Sequence, residues 1–336
     1  MRHDRYLALL DAFAGRRIAV VGDYLLDQYM LGTTSRVSRE APIAVVDYQE
    51  TVNHPGGAAN AAQNVTALGG QASAVGVVGS DHEGDALLTL LHERRVDTKG
   101  VLVSPRAATS LKLRIMAGEM NAQKQQVARV DRSHRVELDA DAHARLLGAA
   151  ESAAATCDAM LLADYGLGVL NDSVARRAID ACRARKVPVV VDSRYRALAF
   201  RGATVATPNE VEAMAALGLE READLLDGTR LARALAQAGI DNLLVTRGSK
   251  GMVVCGAKGD LATIGIAGTR QATDVTGAGD TVAAVVSLSL GAGASLEEAA
   301  HMATFAAAVV VMKRGTATAS PAEVRAQIET GDAGPS

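Results

Sequence analysis

The feature that most constrains this chain is a repeated alternation of short apolar runs with stretches of helical periodicity. Arg16 to Gly22 reads as a buried strand, with a charged entry, four apolar residues and a Gly exit. Ala72 to Gly79, Ala159 to Ala163, Val187 to Val191, Thr204 to Thr207 and Asn242 to Thr246 repeat it. Between them Gly84 to Arg95, Val174 to Arg185 and Thr229 to Ala238 carry apolar residues at three- and four-residue spacing. Strands that alternate with helices, and are apolar throughout, predict an α/β fold: a mostly parallel central sheet covered on both faces by helices. Ligands of such sheets bind at the carboxyl ends of the strands. Asp27, Asp164, Asp192 and Asn209 fall at or just after expected strand ends, as a shared rim requires. Pro42 to Thr51 and Thr109 to Asp131 break the pattern with the alternation of half-exposed strands.

Asp274-Val275-Thr276-Gly277-Ala278-Gly279-Asp280, followed by an apolar run from Thr281 to Val286, describes a loop that becomes a helix N-terminus. Free N–H groups and the positive end of the helix dipole make a place there for an anion such as a transferring phosphoryl group. Asp280 beside it can take the proton of an attacking hydroxyl, so anion hole and base occur in one segment. Alone, the segment also reads as a capped helix after a Gly turn. A second motif, Pro55 to Gly70, is a Gly-Gly turn entering a helix of small residues. Gly56 and Gly57 let a ligand touch backbone, and Asn60 offers an amide suited to sugar hydroxyls, or simply caps an Ala helix.

In this order the two motifs resemble the ribokinase/PfkB family of sugar kinases, over nearly the whole chain. The resemblance implies a ribokinase-like fold and an ATP-dependent carbohydrate kinase in which the N–H groups of Gly277, Ala278 and Gly279 hold the phosphoryl group and Asp280 is the base. The Gly56, Gly57 and Asn60 motif and a sugar-binding acid matching Asp27 would contact the acceptor. Thr207 to Glu212 is similar to the family's Asn-x-x-Glu magnesium motif, with Asn209 toward ATP and Glu212 reaching Mg²⁺ through water. Asn209 and Glu212 share one side of a first helical turn, and Mg²⁺ prefers few protein oxygens and several waters. The nucleotide end would use Thr246, Gly248, Gly251, Thr304 and Gly315, within Val245 to Gly251 and the helix Leu296 to Met312. Thr304 stands where relatives often place Asn. Asp192 and Arg194 would meet ATP phosphates, with Ser193 where relatives often have Pro. Asp274 and Thr276 could offer oxygens to a monovalent cation such as K⁺.

The stretch Thr34 to Val46 looks like the D-glycero-D-manno-heptose 7-phosphate kinases of the ADP-heptose pathway, which supply precursors of lipopolysaccharide. Asp164-Tyr165-Gly166-Leu167-Gly168 is similar to their Asp-Tyr-x-x-Gly. Asp164 either lines the sugar pocket or caps the helix beginning near Asn171. The resemblance implies a small β-sheet lid, residues about 32–54 and 99–131, pairing with the lid of a second subunit in a homodimer. Lys112, Arg114 and Arg129 on that lid would converge on a phosphate of the acceptor. A ribokinase- or fructokinase-like enzyme for another pentose or hexose is the alternative acceptor class, and a sugar- or nucleotide-binding regulator on the kinase fold is the non-enzyme alternative.

At 336 residues the chain can bury one large domain, taken as 1–330, with 331–336 a disordered tail. Bifunctional relatives add a nucleotidyltransferase domain, for which no chain is expected after the kinase. A net charge of −3 provides no nucleic-acid surface, and 3% aromatic residues without Trp provide no base-stacking platform. The longest apolar stretches are too short or interrupted to span a bilayer, and no secretory leader is expected. Cys157, Cys182 and Cys255 suit neither a disulfide framework nor a metal cluster. They read as small core residues in a cytoplasmic protein. The seven histidines, among them His54, His82, His134 and His301, lack ligand spacing and read as surface or loop residues.

Overall fold

Apolar runs flanked by helix caps become a large sheet between helical layers in the computed structural model, which describes residues 2–119, 124–268 and 271–330. The large sheet is built from β1 (Arg17–Gly22), β4 (Gln71–Gly79), β5 (Asp97–Ser104), β8 (Ala159–Asp164), β9 (Val189–Ser193), β10 (Val205–Ala206), β11 (Asn242–Thr246), β12 (Met252–Gly256) and β13 (Leu261–Ile264). Its order is β13-β12-β11-β10-β9-β8-β1-β4-β5, parallel from β11 to β5, with β12 and β13 added antiparallel at one edge. The strand order reverses between β1 and β8, the place where open sheets of this kind leave a crevice.

Successive residues of a strand face opposite sides, so every strand feeds two cores. Ile18 and Val20 of β1 enter one, packed with α1 (Arg2–Asp11), α2 (Ala58–Ala67), α3 (His82–Glu93), α8 (Ala278–Gly291), α9 (Leu296–Val310) and α10 (Pro321–Thr330). Ala19 and Val21 enter the other, under α4 (Ala140–Thr156) and α5 (Asp172–Ala184). A third cluster lies under α6 (Glu210–Leu217) and α7 (Gly228–Ala238). Cys157, Cys182 and Cys255 are buried free thiols within these cores, as expected of small apolar residues. No helix among the described residues is long and apolar enough to cross a membrane.

The second, four-stranded sheet consists of β2 (Tyr24–Val37), β3 (Ala44–Gly57), β6 (Ser110–Gly118) and β7 (Gln125–Arg132), in the order β3-β2-β6-β7. It begins at Tyr24, earlier than residue 32, because the chain leaves β1 at Gly22 and re-enters extended pairing with β3 at once. Asp27 is therefore inside β2 of the small sheet and not at the end of a large-sheet strand, where it was expected. Residues 99–104 belong to the large sheet through pairing of β5 with β4, so the second segment of the small sheet starts at Ser110. The expected tail, 331–336, lies outside the described residues.

Candidate active site

Gly277 determines how the loop meets its helix. It caps α8 at φ +77°, and a Cβ there would come within 2.6 Å of the Asn60 side-chain nitrogen. Only glycine takes that left-handed turn without strain while passing so close. Behind it α8 is buried from Asp280 to Ser289 and packs on α2, which fixes the first turn. Among the described residues the amides of Gly277, Gly279 and Asp280 have no acceptor, whereas Ala278 donates to the Val275 carbonyl at 3.2 Å. Of the three amides expected to form the hole, Gly277 and Gly279 are thus open and Ala278 is taken, while the Asp280 amide is open beside them.

Asp280 is 6% exposed. The Tyr165 hydroxyl donates to one of its carboxylate oxygens at 2.5 Å and the Asn60 amide to the other at 2.6 Å. Burial pushes the Asp280 carboxyl up to about 6, although both hydrogen bonds favour its charged form. Asn60, expected to face sugar hydroxyls, is instead fully buried between α2 and α8. Its side-chain oxygen accepts from Gln63 at 2.7 Å, and Gln63 in turn accepts from the Arg94 guanidinium at 2.7 Å. The helix turn that carries Asn60 points it at Asp280, so its polar atoms are already committed.

Asp164 ends β8 and lines the cleft, but its carboxylate is structural: it accepts from the Ser193 hydroxyl at 2.7 Å, the Arg196 guanidinium at 3.2 Å and the Gly166 amide at 3.1 Å. The capping alternative is excluded, because Asn171 caps α5 through the Ser173 and Val174 amides. Ser193 also accepts from the Arg196 amide at 3.0 Å, so its hydroxyl ties the turn after β9. Asp23, overlooked in the sequence, accepts from the amides of Tyr165 at 2.8 Å, Leu167 at 3.0 Å and Val169 at 3.1 Å, joining the end of β1 to the loop after β8.

A cleft of about 300 Å³ opens on Asp280, lined by Tyr165, Asp192, Arg194, Asn209, Glu212 and Gly277 among others. Burial, then the nearby Asp280 and Glu212, raises Asp192 well above the usual carboxylate range, and burial raises Glu212. Asp192 and Glu212, two acids raised by burial on one wall of the cleft, form a place suited to a cation. Glu212 spends one oxygen on the Asn209 amide at 2.9 Å, while Asn209 accepts from the Glu212 amide at 2.9 Å. The pair is a capping box, so the plain helix-start reading holds alongside whatever the second Glu212 oxygen binds.

Thr246, Val275 and Gly279 join this cleft to a second one of about 200 Å³ with mostly apolar walls, which Gly248, Gly251, Met252, Thr304 and Val311 also line. Thr304 gives its hydroxyl to the Ala300 carbonyl at 3.0 Å, within its own helix. Gly315, expected at the nucleotide, lies elsewhere: its amide donates to Asp274 at 2.9 Å, and its nearest neighbour on the Cβ side is the Tyr29 hydroxyl. Asp274 also accepts from the Thr276 amide at 2.9 Å. Burial alone would raise its carboxyl, but these bonds outweigh it and hold it below its ordinary value. A monovalent cation at Asp274 and Thr276 would share those oxygens with the loop.

Asp27, Gly56, Gly57, Lys112, Arg114 and Arg129 line neither cleft. They gather around the small sheet beyond Asp280. Alternation puts Asp27, Tyr29, Lys112 and Arg114 on one face, with Asp27 level with Lys112 and Tyr29 level with Arg114. Arg114 donates to Asp27 at 2.5 Å and is 9% exposed, and a Cβ on Gly56 would fall 2.7 Å from the same carboxylate. Arg129 forks onto Asp131 at 2.9 and 3.0 Å, on the exposed end of β7. The three cations expected to converge are neighbours, Arg129 lying level with Arg114, but Arg114 and Arg129 already have carboxylate partners, and Lys112 sits 4.9 Å over the Tyr165 ring, where burial and then Arg194 lower its pKa. His54 is a half-buried strand residue, edge-on to Tyr29 at 5.3 Å, and His301 is in α9 against Tyr6; neither is on a loop. Of the residues not selected from sequence, Tyr165 stood inside a quoted motif, and a phenol next to a strand-end acid was the signal.

A helix start with open amides, a buried carboxylate beside it and a cleft continuing to an apolar slot suit phosphoryl transfer on an α/β sheet. The comparisons agree: residues 16–323 match the pfkB family of carbohydrate kinases, and the chain belongs to that family. It is 40% identical over 314 residues to the Bifunctional protein HldE of Azorhizobium caulinodans, covering 93% of this chain and 64% of that protein. It is likewise 40% identical over 323 residues to the Bifunctional protein HldE of Gluconobacter oxydans, covering 95% and 66%. The chain thus spans a little under two thirds of the length of the curated relatives it matches. Ribokinase-like folds resemble it: Arabidopsis thaliana ribokinase complexed with ribose and ATP (TM-score 0.70, 20% identity, 94% of this chain and 99% of that one) and Escherichia coli phosphofructokinase-2 in complex with potassium (TM-score 0.71, 19% identity, 94% and 98%). The protein is an ATP-dependent carbohydrate kinase.

Proposed function

We propose that the chain transfers the γ-phosphoryl group of ATP to the anomeric hydroxyl of D-glycero-D-manno-heptose 7-phosphate, giving the 1,7-bisphosphate. The observation that carries the chemistry is the buried Asp280 carboxylate, raised to about 6, directly beside the open amides of Gly277 and Gly279. A base with a pKa just under working pH is ionised yet still takes a proton readily. Asp280 accepts the proton of the acceptor hydroxyl as its oxygen attacks phosphorus, and the amides take up the charge on the equatorial oxygens. The apolar slot by Thr304 suits adenine, and Arg194 suits the phosphates. The carboxylates of Asp192 and Glu212 fit a divalent cation, Mg²⁺ being the choice, with Glu212 reaching it through water. When bound, that ion would neutralise phosphate charge. Potassium at the Asp274 loop is supported by the potassium complex of the phosphofructokinase-2 relative in fold.

The acceptor rests on the likeness to the heptose kinases at Thr34 to Val46 and on the relatives named HldE. A kinase for an unphosphorylated pentose or hexose is the second reading, favoured by the ion pairs that occupy Arg114 and Arg129. An ATP-consuming reaction and three reduced thiols go with a cytoplasmic setting. ADP release measured over a panel of free and phosphorylated sugars tests both. Saturation by the heptose 7-phosphate alone is expected, and equal activity on a sugar and its terminal phosphate ester would overturn the assignment. Asp280→Asn should lower kcat at least about a hundredfold with sugar affinity nearly unchanged, and near-normal turnover would remove Asp280 from the mechanism.

A further inference from the structure

We propose that Tyr165 is a positioning residue for the base, its hydroxyl holding the Asp280 carboxylate in the orientation that receives the acceptor proton. The inference deepens the reading of Asp280 as base and rests on it. Three independent contacts hold Tyr165 itself. The Asp23 carboxylate accepts its amide at 2.8 Å and two further amides of the same loop. On the ring, the Lys112 ammonium stands 4.9 Å away from the small sheet and the Arg194 guanidinium 5.1 Å away from the turn after β9. Cations over an aromatic ring are attracted to it and fix its plane. A ring restrained by the backbone and by both sheets delivers its hydroxyl to one place, 2.5 Å from Asp280.

The chemistry follows from which side donates. Burial, and then the Asp280 charge, holds the Tyr165 phenol well above its ordinary range, so it stays protonated and can only donate toward the carboxylate. Tyr165 and Asn60 each take one lone pair on a different oxygen, which leaves the carboxylate charged, fixed in rotation and able to accept one more proton donor. The other charged groups facing Asp280 are Asp27 from β2, Lys112 from β6 and Asp192 from β9. Asp27 and Asp192 work against its charge and Lys112 works for it, and Tyr165→Phe changes none of them.

Tyr165→Phe keeps the ring, the cation contacts and the backbone bonds, and removes one oxygen. The carboxyl carbon of Asp280, assigned by its loss in Asp280→Asn, is titrated by carbon-13 NMR in the full chain without substrate. Loss of a charge-assisted donor should move its midpoint upward by about one pH unit, equivalent to tenfold. In turnover, kcat should fall roughly tenfold or more with the sugar KM little changed, and the acid limb of the kcat profile should move upward with partial recovery above it. An unmoved midpoint, or an unmoved acid limb, overturns the role of Tyr165. The NMR midpoint requires no sugar, so a sugar panel without activity would remove the proposed reaction and leave this outcome to be decided separately.

Discussion

Asp280, the proposed base, opposes the fold that carries it. Its ordinary value of 3.8 rises to about 6 in the folded chain, so the native state binds more protons than the unfolded one between about pH 4 and 6. Folding stability contributed by this group is therefore full below about pH 4 and declines as pH rises through about 6, and at neutral pH the charged carboxylate costs stability. Two pKa units correspond to roughly 3 kcal/mol as an upper bound. Asp280→Asn should raise Tm at pH 8, with the gain shrinking toward pH 4, while activity is lost. Scanning calorimetry of the two proteins at both pH values checks this, and an equal or lower Tm at pH 8 counts against it. For the wild type, kcat should decline about tenfold per pH unit below about 6 as the base is protonated.

At the level of elements, the start of α6 carries two tasks on two residues. Asn209→Ala removes a cap, which typically costs about 1 kcal/mol, and should lower Tm at any magnesium concentration. Glu212→Gln keeps the hydrogen bonds of the capping box but removes the charge, so it should leave Tm close to wild type and raise the Mg²⁺ concentration needed at saturating ATP. An unchanged magnesium dependence would reduce Glu212 to a helix-start residue. The small sheet separates its roles in the same way. Arg114→Ala leaves the Asp27 carboxylate buried without a partner, a loss of about 3–5 kcal/mol, and thermal unfolding should record it. Lys112 has no such duty. Lys112→Ala should leave Tm near wild type and raise KM for a sugar phosphate by roughly ten- to a hundredfold, the worth of a charged hydrogen bond.

On the scale of the molecule, the two sheets face water differently. The large sheet has helices on both sides, whereas the small one leaves Val37 at 65%, Tyr48 at 62%, Val127 at 50% and Val130 at 48% exposure, with Ile43 at 61% in the turn that leads into β3. Apolar side chains grouped on one small sheet are a surface for association, and a second copy of the chain paired through this sheet is the occupant we expect. Sedimentation at micromolar concentration should give a dimer. Ile43→Glu with Tyr48→Glu should give a monomer that keeps its large-sheet core, and an unchanged mass for the double variant would place the contact elsewhere.

The parallel sheet, the helix starting at Ala278 and the places of Gly277 and Asp280 at its first turn were legible in the sequence because each depends on neighbours in the chain: apolar period, a turn that needs glycine, an acid in a first helical turn. Asn242 to Thr246 was read with its observed bounds for the same reason. The start of β2 escaped notice, since Tyr24 to Leu31 mixes buried and polar residues without a clean alternation and becomes a strand only by pairing with β3 and β6. The bonds that join Asn60, Tyr165 and Asp23 to this site escaped for a related reason. Asn60 and Tyr165 stand 220 and 115 positions from Asp280, and Asp23 stands 142 from Tyr165, and no local pattern records a bond between them. Local periodicity sets which residues are strand, helix and turn. Which donor meets which carboxylate is decided where β1, β8, α2 and α8 converge, because burial at that junction leaves each polar atom only the partners that the packing supplies.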